Sequence, residues 1–143
     1  MRHVTFEFAL TLALALLLAL LTAAGCGKTP QPEAAGVRLP QVNDAFLAAG
    51  FKLDAFKPID ARRFQAQTCA EGPLDGVDTL VCEYASPDAA ALAKKSSEGW
   101  IAESVTGAVL ANGRTLLAVA DRARVDPNGK VIHRITQAYQ RTH

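Results

Sequence analysis

The feature that most constrains the fold is an Asp75-Gly76 dipeptide between two strand-like segments, 63–70 and 77–85. Asp-Gly is typical of a type I′ turn, because both central residues of that turn need a positive φ. A two-residue turn of this kind joins antiparallel strands and fixes which residues lie opposite each other. The sequence therefore predicts a β-hairpin with a defined register.

That register places two cysteines opposite each other. Counting outward from the turn, Leu74 faces Val77 and Cys69 faces Cys82. Hydrogen-bonded and non-hydrogen-bonded pairs alternate from the turn, so the cysteines share a non-hydrogen-bonded site, where side chains approach most closely. We predict a disulfide with Cα atoms about 5.5 Å apart, which stabilises the domain by about 3 kcal/mol through loop closure. The alternative is a pair of reduced core cysteines.

The N-terminal segment has a different character. Residues 8–21 are apolar apart from Thr11, and Leu-Thr-Ala-Ala-Gly-Cys follows at 21–26. This ending resembles the lipobox of bacterial membrane lipoproteins, in which small residues fit the signal peptidase and the cysteine receives the lipid. The resemblance covers this segment alone and implies a signal peptide at 1–25 and fatty acids, such as palmitate, on Cys26. The alternative is an uncleaved anchor, since spanning a bilayer needs ~17 to 25 residues.

The cysteine count favours the lipoprotein hypothesis. The chain has three cysteines, and lipidation of Cys26 leaves an even pair in an exported compartment where disulfides persist. Residues 26–38, rich in Pro, Gly and Ala, are expected to form a flexible tether, followed by a single domain at 39–143. The expected location is the bacterial cell envelope. In a Gram-negative host, Gly27 after the lipidated cysteine resembles cargo of the outer membrane, facing the periplasm.

Two helices are predicted before and after the first hairpin. The first starts at Pro40, continues through Val42 and Phe46, and ends before Gly50. The second starts at the Ser86-Pro87 cap, is expected to end near residue 103, and presents 89, 92, 93, 96, 100 and 101 on one side. Between the first helix and the hairpin, 51–58 is interpreted as an apolar loop against the core.

A second hairpin and a third helix complete the domain. Asn112-Gly113 is a second type I′ signal between 105–111 and 114–121. Asp126-Pro127 is expected to open a C-terminal helix, because the apolar residues from 131 to 139 recur at helical spacing. The alternative is a turn at 126–129 leading into a further strand. The predicted fold class is α+β: a four-stranded antiparallel sheet from two β-hairpins, packed against helices in the order α-ββ-α-ββ-α.

Motifs of catalysis and metal binding are missing from the sequence. His143 is the last residue, which leaves His133 as the one histidine inside the fold, and no metal-binding, nucleophile-elbow or phosphate-loop spacing occurs. Glu71, Asp75 and Asp78 surround the hairpin tip, but turn chemistry explains them better than a calcium site. The net charge of +1 argues against nucleic-acid binding. We therefore expect no metal, no cofactor and no enzymatic activity.

Large aromatic residues are the candidates for partner binding. Phe56 and Trp100 could anchor a partner, although core packing is the commoner fate of such residues. The leading hypothesis is a non-catalytic envelope lipoprotein whose stapled domain binds a protein or envelope partner. One alternative is a small-ligand-binding protein or enzyme that uses a cleft between sheet and helices. Another is an inhibitor of a secreted enzyme that presents the Asp75-Gly76 hairpin.

Overall fold

The computed structural model describes residues 38–142. The predicted signal peptide, the lipidation site Cys26 and almost all of the predicted tether lie outside the described residues. Within them, the α-helices are α1 (Leu39–Ala48), α2 (Pro87–Ser97) and α3 (Lys130–Gln140), and two 3₁₀ helices occur at Ala61–Phe64 and Glu98–Ile101. The strands are β1 (Lys57–Ile59), β2 (Thr68–Leu74), β3 (Val77–Glu83), β4 (Gly107–Asn112) and β5 (Thr115–Ala120).

The strands form one antiparallel sheet in the order β1-β2-β3-β5-β4. The predicted α+β class with an antiparallel sheet is confirmed, but the sheet has five strands and not four. The missed strand is β1, where Lys57, Pro58 and Ile59 pair with Glu71, Ala70 and Cys69. Its three residues are too few to show an alternation, and proline is confined to sheet edges.

The first hairpin has the predicted register. Asp75 and Gly76 have φ values of 47° and 86°, as a type I′ turn requires, and Cys69 lies opposite Cys82. The two cysteines form a disulfide with a Cα–Cα distance of 4.1 Å. The predicted distance of about 5.5 Å was too long, because non-hydrogen-bonded partners already lie about 4.5 Å apart in antiparallel sheets. The predicted start of the strand at 63 was also wrong, since the first 3₁₀ helix occupies that region.

The turn of the second hairpin is displaced by one residue from its predicted position. Asn112 pairs with Thr115, so the turn residues are Gly113 and Arg114. Gly113 has a positive φ of 53° and Arg114 does not. The displacement allows buried Arg114 to donate from Nε to the Tyr84 carbonyl at 2.9 Å. It also allows Asn112 to donate from Nδ2 to the Thr142 carbonyl at 2.9 Å, beyond the end of α3.

Helices cover both faces of the sheet. On the first face, α1 and α3 pack through Val42, Phe46, Ile135 and Tyr139. On the second face, α2 and the two 3₁₀ helices pack over the disulfide and neighbouring strand residues. The loop at 51–58 also lies against the first face, as predicted, with Phe51 buried and Leu53 and Phe56 half-buried. Because both faces are covered, all six residues of the inner strand β5 are buried.

The second helix differs from its prediction in length and in its buried face. It ends at Ser97, and the 3₁₀ helix Glu98–Ile101 follows. Ala90, Ala93 and Ser97 are buried, whereas Leu92 is 80% exposed. The predicted face, which included Leu92, was therefore wrong in part. The face of the helix that packs on the sheet therefore consists of small residues.

Two buried carboxylates organise the start of α3. Asp121 accepts hydrogen bonds from the N–H groups of Val125 and Asp126, both at 2.9 Å. Asp126 in turn accepts from the N–H of Ile132 at 2.9 Å. The helix begins at Lys130, after Gly129 in a left-handed conformation, and not at Asp126-Pro127 as predicted. The alternative of a further strand after 126–129 is wrong, because 130–140 is helical.

Asp126 holds its charge in spite of its burial. Desolvation by itself raises the pKa of the carboxyl group, but hydrogen bonds from the N–H groups of Ile132, Val131 and Lys130 outweigh it and lower the pKa below 3.8. Unpaired N–H groups at a helix start favour an anion. The carboxylate thus replaces the usual N-cap side chain.

None of the helices between residues 38 and 142 is long and apolar enough to cross a membrane.

Candidate functional site

An open groove lies on the second face of the sheet, over β1, β2 and the tip end of β3. Its volume is about 850 Å³. One wall consists of the second 3₁₀ helix and the residues that follow β5, and the loop before β1 forms part of the rim. The lining includes Lys57, Ile59, Glu71, Pro73, Asp78, Trp100 and Arg122.

Trp100, Arg122 and Asp78 form a connected wall. The Arg122 guanidinium lies over the Trp100 ring, with 4.1 Å between Cζ and the ring centroid. Its Nη1 donates to Asp78 Oδ2 at 3.0 Å, and its Nη2 donates to the Trp100 carbonyl. Stacking on the ring and a bond to a carboxylate both use the planar fork of arginine. The wall therefore presents an aromatic surface and an ion pair with fixed orientations.

The opposite side of the groove carries two charges that have no partner among residues 38–142. Lys57 and Glu71 are cross-strand neighbours in β1 and β2, and both are exposed. Neither forms a side-chain hydrogen bond or an ion pair with any residue from 38 to 142. Such charges remain available to a bound molecule. Ile59 and Trp100, both half-buried, add apolar surface to the same groove.

Gly72 allows the rim of the groove to approach the sheet. A Cβ atom at this position would lie 2.5 Å from the carbonyl oxygen of Ala55 and 2.9 Å from the Phe56 Cα. Those are backbone atoms and cannot rotate away. The loop before β1 therefore packs directly on β2, which is compatible only with glycine at position 72.

The two aromatic candidates are not brought together. Trp100 lies on the wall of the groove and is half-buried. Phe56 lies on the other face of the sheet, where its ring centroid is 6.5 Å from that of Phe46. Phe56 packs half-buried against the core of the first face, away from the groove, and its role in partner binding stays a prediction.

The carboxylates of the first hairpin tip are also separated. Asp75 accepts from Arg134 of α3 at 3.1 Å, whereas Asp78 points into the groove toward Arg122. No group of three or more His, Cys, Asp or Glu side chains that could hold a metal ion occurs in the part of the chain that the structure describes. His133 is exposed on α3, and Cys69 and Cys82 are buried in the disulfide beneath the second face.

Sequence reasoning missed Lys57 and Arg122 as site residues. Arg122 meets Asp78 because β3 pairs with β5, which brings together residues 44 positions apart. That pairing has no local signal, since the two hairpins could also be arranged with other strands in contact. Lys57 was missed with its strand. A signal was available for Trp100 alone, as the only tryptophan of the chain.

The chain matches no protein-family model, no curated protein and no solved structure.

Proposed function

We propose that this protein is an exported lipoprotein, anchored through Cys26, whose domain binds an extended segment of another envelope protein in the groove beside Trp100. The observation that carries the binding proposal is that Lys57 and Glu71, which pair with no residue from 38 to 142, face the Arg122–Asp78 ion pair across apolar surface. The binding needs no catalytic group, metal or cofactor.

Two features support the location. The residues 21–26 resemble a lipobox, and the Cys69–Cys82 disulfide is of the kind that persists in oxidising compartments outside the cytosol. In a Gram-negative host, Gly27 favours the outer membrane, with the domain facing the periplasm. A lipid anchor on Cys26 would then hold the domain at the membrane through the following residues up to 38.

The groove is well placed for access by a partner. The chain enters the domain at Leu39, whose N–H donates to Glu83 Oε2 at 3.2 Å, at the C-terminal end of β3. Asp78 of the groove lies five residues earlier on the same strand. At roughly 3.4 Å per residue, the groove is about 17 Å along the sheet from the point of entry. The point at which the chain enters the domain, Leu39, is therefore separated from the groove.

The charge pattern favours a protein segment as the occupant. Three acidic and two basic side chains line one groove, so it complements a segment that itself carries both signs of charge. Tryptophan and arginine are the residues most enriched among energetically dominant interface contacts. The lining includes residues of β1, β2, β3 and the segment after β5, so an extended chain lying across these strands would contact all of them.

A small ligand is the second candidate. The volume of about 850 Å³ falls within the ~300–1,000 Å³ typical of ligand sites.

The hypothesis of an enzyme inhibitor has less support, because the Asp75-Gly76 turn packs against other parts of the domain. Asp75 is paired with Arg134, and a Cβ atom on Gly76 would lie 3.1 Å from a methyl group of Val125.

The anchor is tested by metabolic labelling with a radioactive fatty acid. We expect label on the wild-type chain and none on Cys26→Ala, because the Cys26 thiol is the acceptor for the lipid. A variant that still incorporates label would overturn the lipobox interpretation and favour an uncleaved membrane anchor.

The groove is tested by photocrosslinking in native membranes. A benzophenone amino acid at Pro73, an exposed lining residue, should capture a protein, whereas the same group at Pro87, an exposed proline outside the groove, should not. Mass spectrometry should map the product to one continuous segment of the partner. The exchange Lys57→Glu with Glu71→Lys keeps the total charge and reverses the polarity, and should abolish capture. Equal capture from both prolines, or capture insensitive to the exchange, would refute the proposal.

A further inference from the structure

The two edges of the sheet differ in how they are protected against pairing with another chain. The β1 edge has three residues, including Lys57 and Pro58. Short length, lysine and proline are the usual devices that prevent edge-to-edge association. The β4 edge has six residues, GAVLAN, without charge or proline, and no charged residue occurs anywhere from 104 to 113. This edge lacks all three devices.

The alternation of hydrogen bonds between β4 and β5 shows which backbone groups of β4 point away from the sheet. The N–H of Asp121 donates to the Thr106 carbonyl at 2.9 Å, so even-numbered residues of β4 face β5. The N–H and C=O groups of Gly107, Val109 and Ala111 therefore point away from the sheet. They form no hydrogen bond within residues 38–142. Gly107 and Ala111 are exposed, while Val109 packs its side chain on the second face.

We infer that β4 pairs antiparallel with β4 of a second copy of this chain. The edge is complementary to itself: with Val109 opposite Val109, Gly107 lies opposite Ala111 of the other copy, and every outward group finds a partner. Such pairing forms about six main-chain hydrogen bonds, since each such pair exchanges two. It brings no like charges together, because the strand and its flanks are uncharged. The groove lies over the other edge of the sheet and remains open in this dimer.

Analytical ultracentrifugation of the purified full chain in detergent tests the inference. We expect a monomer–dimer equilibrium for the wild type. Ala111→Pro removes one outward N–H per copy and leaves the ladder to β5 intact, so the dimer Kd should rise by about tenfold or more. Ala111→Lys, which adds an edge lysine, should also weaken the dimer. Ala91→Lys, at an exposed alanine of α2, is the matched control and should leave the Kd unchanged.

Either of two results would overturn the inference: a wild type that stays monomeric over the whole concentration range, or dimerisation that Ala111→Lys and Ala91→Lys affect equally. Circular dichroism and thiol titration establish that each variant is folded and oxidised, and Ala111→Lys keeps the test valid if the proline variant does not fold. The groove lies near the β1 edge of the sheet, and β4 is the opposite edge. A monomeric wild type would therefore overturn the dimer and leave the proposed function of the groove unaffected.

Discussion

Removal of the Cys69–Cys82 disulfide should cost the domain a large part of its stability. The cysteines are 13 positions apart, so the bond closes a loop of 14 residues, counting both ends. Chain entropy assigns about 3 kcal/mol to a loop of that size. The free energy of unfolding of a small domain is about 5–15 kcal/mol, so the loss is a substantial fraction of the total stability. With a urea dependence of about 1–3 kcal/mol per molar, the midpoint should fall by about 1–3 M.

The assay is urea unfolding followed by the fluorescence of Trp100, the only tryptophan. Three samples separate the crosslink from core packing: oxidised wild type, reduced wild type, and Cys69→Ala with Cys82→Ala. Cys69 and Cys82 are 3% and 0% exposed, so their sulfur atoms pack in the core. Reduction removes the crosslink and keeps the sulfur atoms, whereas the double variant also removes the packing of these atoms. Indistinguishable midpoints for oxidised and reduced wild type would refute the reasoning, as would two free thiols after non-reducing purification.

Three further predictions concern the C-terminal helix and its contacts. Because the pKa of Asp126 is lowered below 3.8 in the folded state, its stabilisation is present above that pH and is lost as pH falls; Asp126→Asn should cost about 1 kcal/mol at pH 7, and urea unfolding at pH 7 and pH 3 should show the difference shrinking. Asn112→Ala should lower the free energy of unfolding by about 1–3 kcal/mol, measured in urea, since carbonyls of Tyr139 and Thr142 lose their donor. Burial, partly offset by the hydrogen bond with Thr115, raises the pKa of Tyr139 from 10.0 to about 12, so thermal stability should fall from pH 10 to pH 12 and Tyr139→Phe should remove that part of the fall.

The parts of the fold that could be predicted are those with local signals. Asp75-Gly76 specifies a turn type by backbone conformation alone, and the turn then fixes every pair of the hairpin, including Cys69 with Cys82. The Ser86-Pro87 start of α2 is likewise local: the Ser86 hydroxyl accepts from the Ala89 N–H at 3.2 Å. Capping and turn chemistry act over a few residues, so the sequence contains all that is needed.

The parts that could not be predicted depend on distant contacts. Strand β1 exists because β2 offers it an edge, and Arg114 occupies a turn position because Tyr84 and Gln67 provide acceptors for it. The groove has the same origin, since it joins β1, β2, β3 and residues after β5. Trp100 could be selected from the sequence as a candidate, but its stacking with Arg122 follows from strand order.

Hydrogen–deuterium exchange of the full chain tests most directly the claim that the groove binds an envelope protein. Exchange is compared between the chain in native membrane vesicles, where its partner is present, and the purified chain in detergent. We expect slower exchange in vesicles for 54–59 and 71–79, which line the groove, and unchanged exchange for α2 at 87–97. Unchanged exchange at 54–59 and 71–79, or protection of α2 equal to theirs, would contradict the assignment of the groove as the binding site.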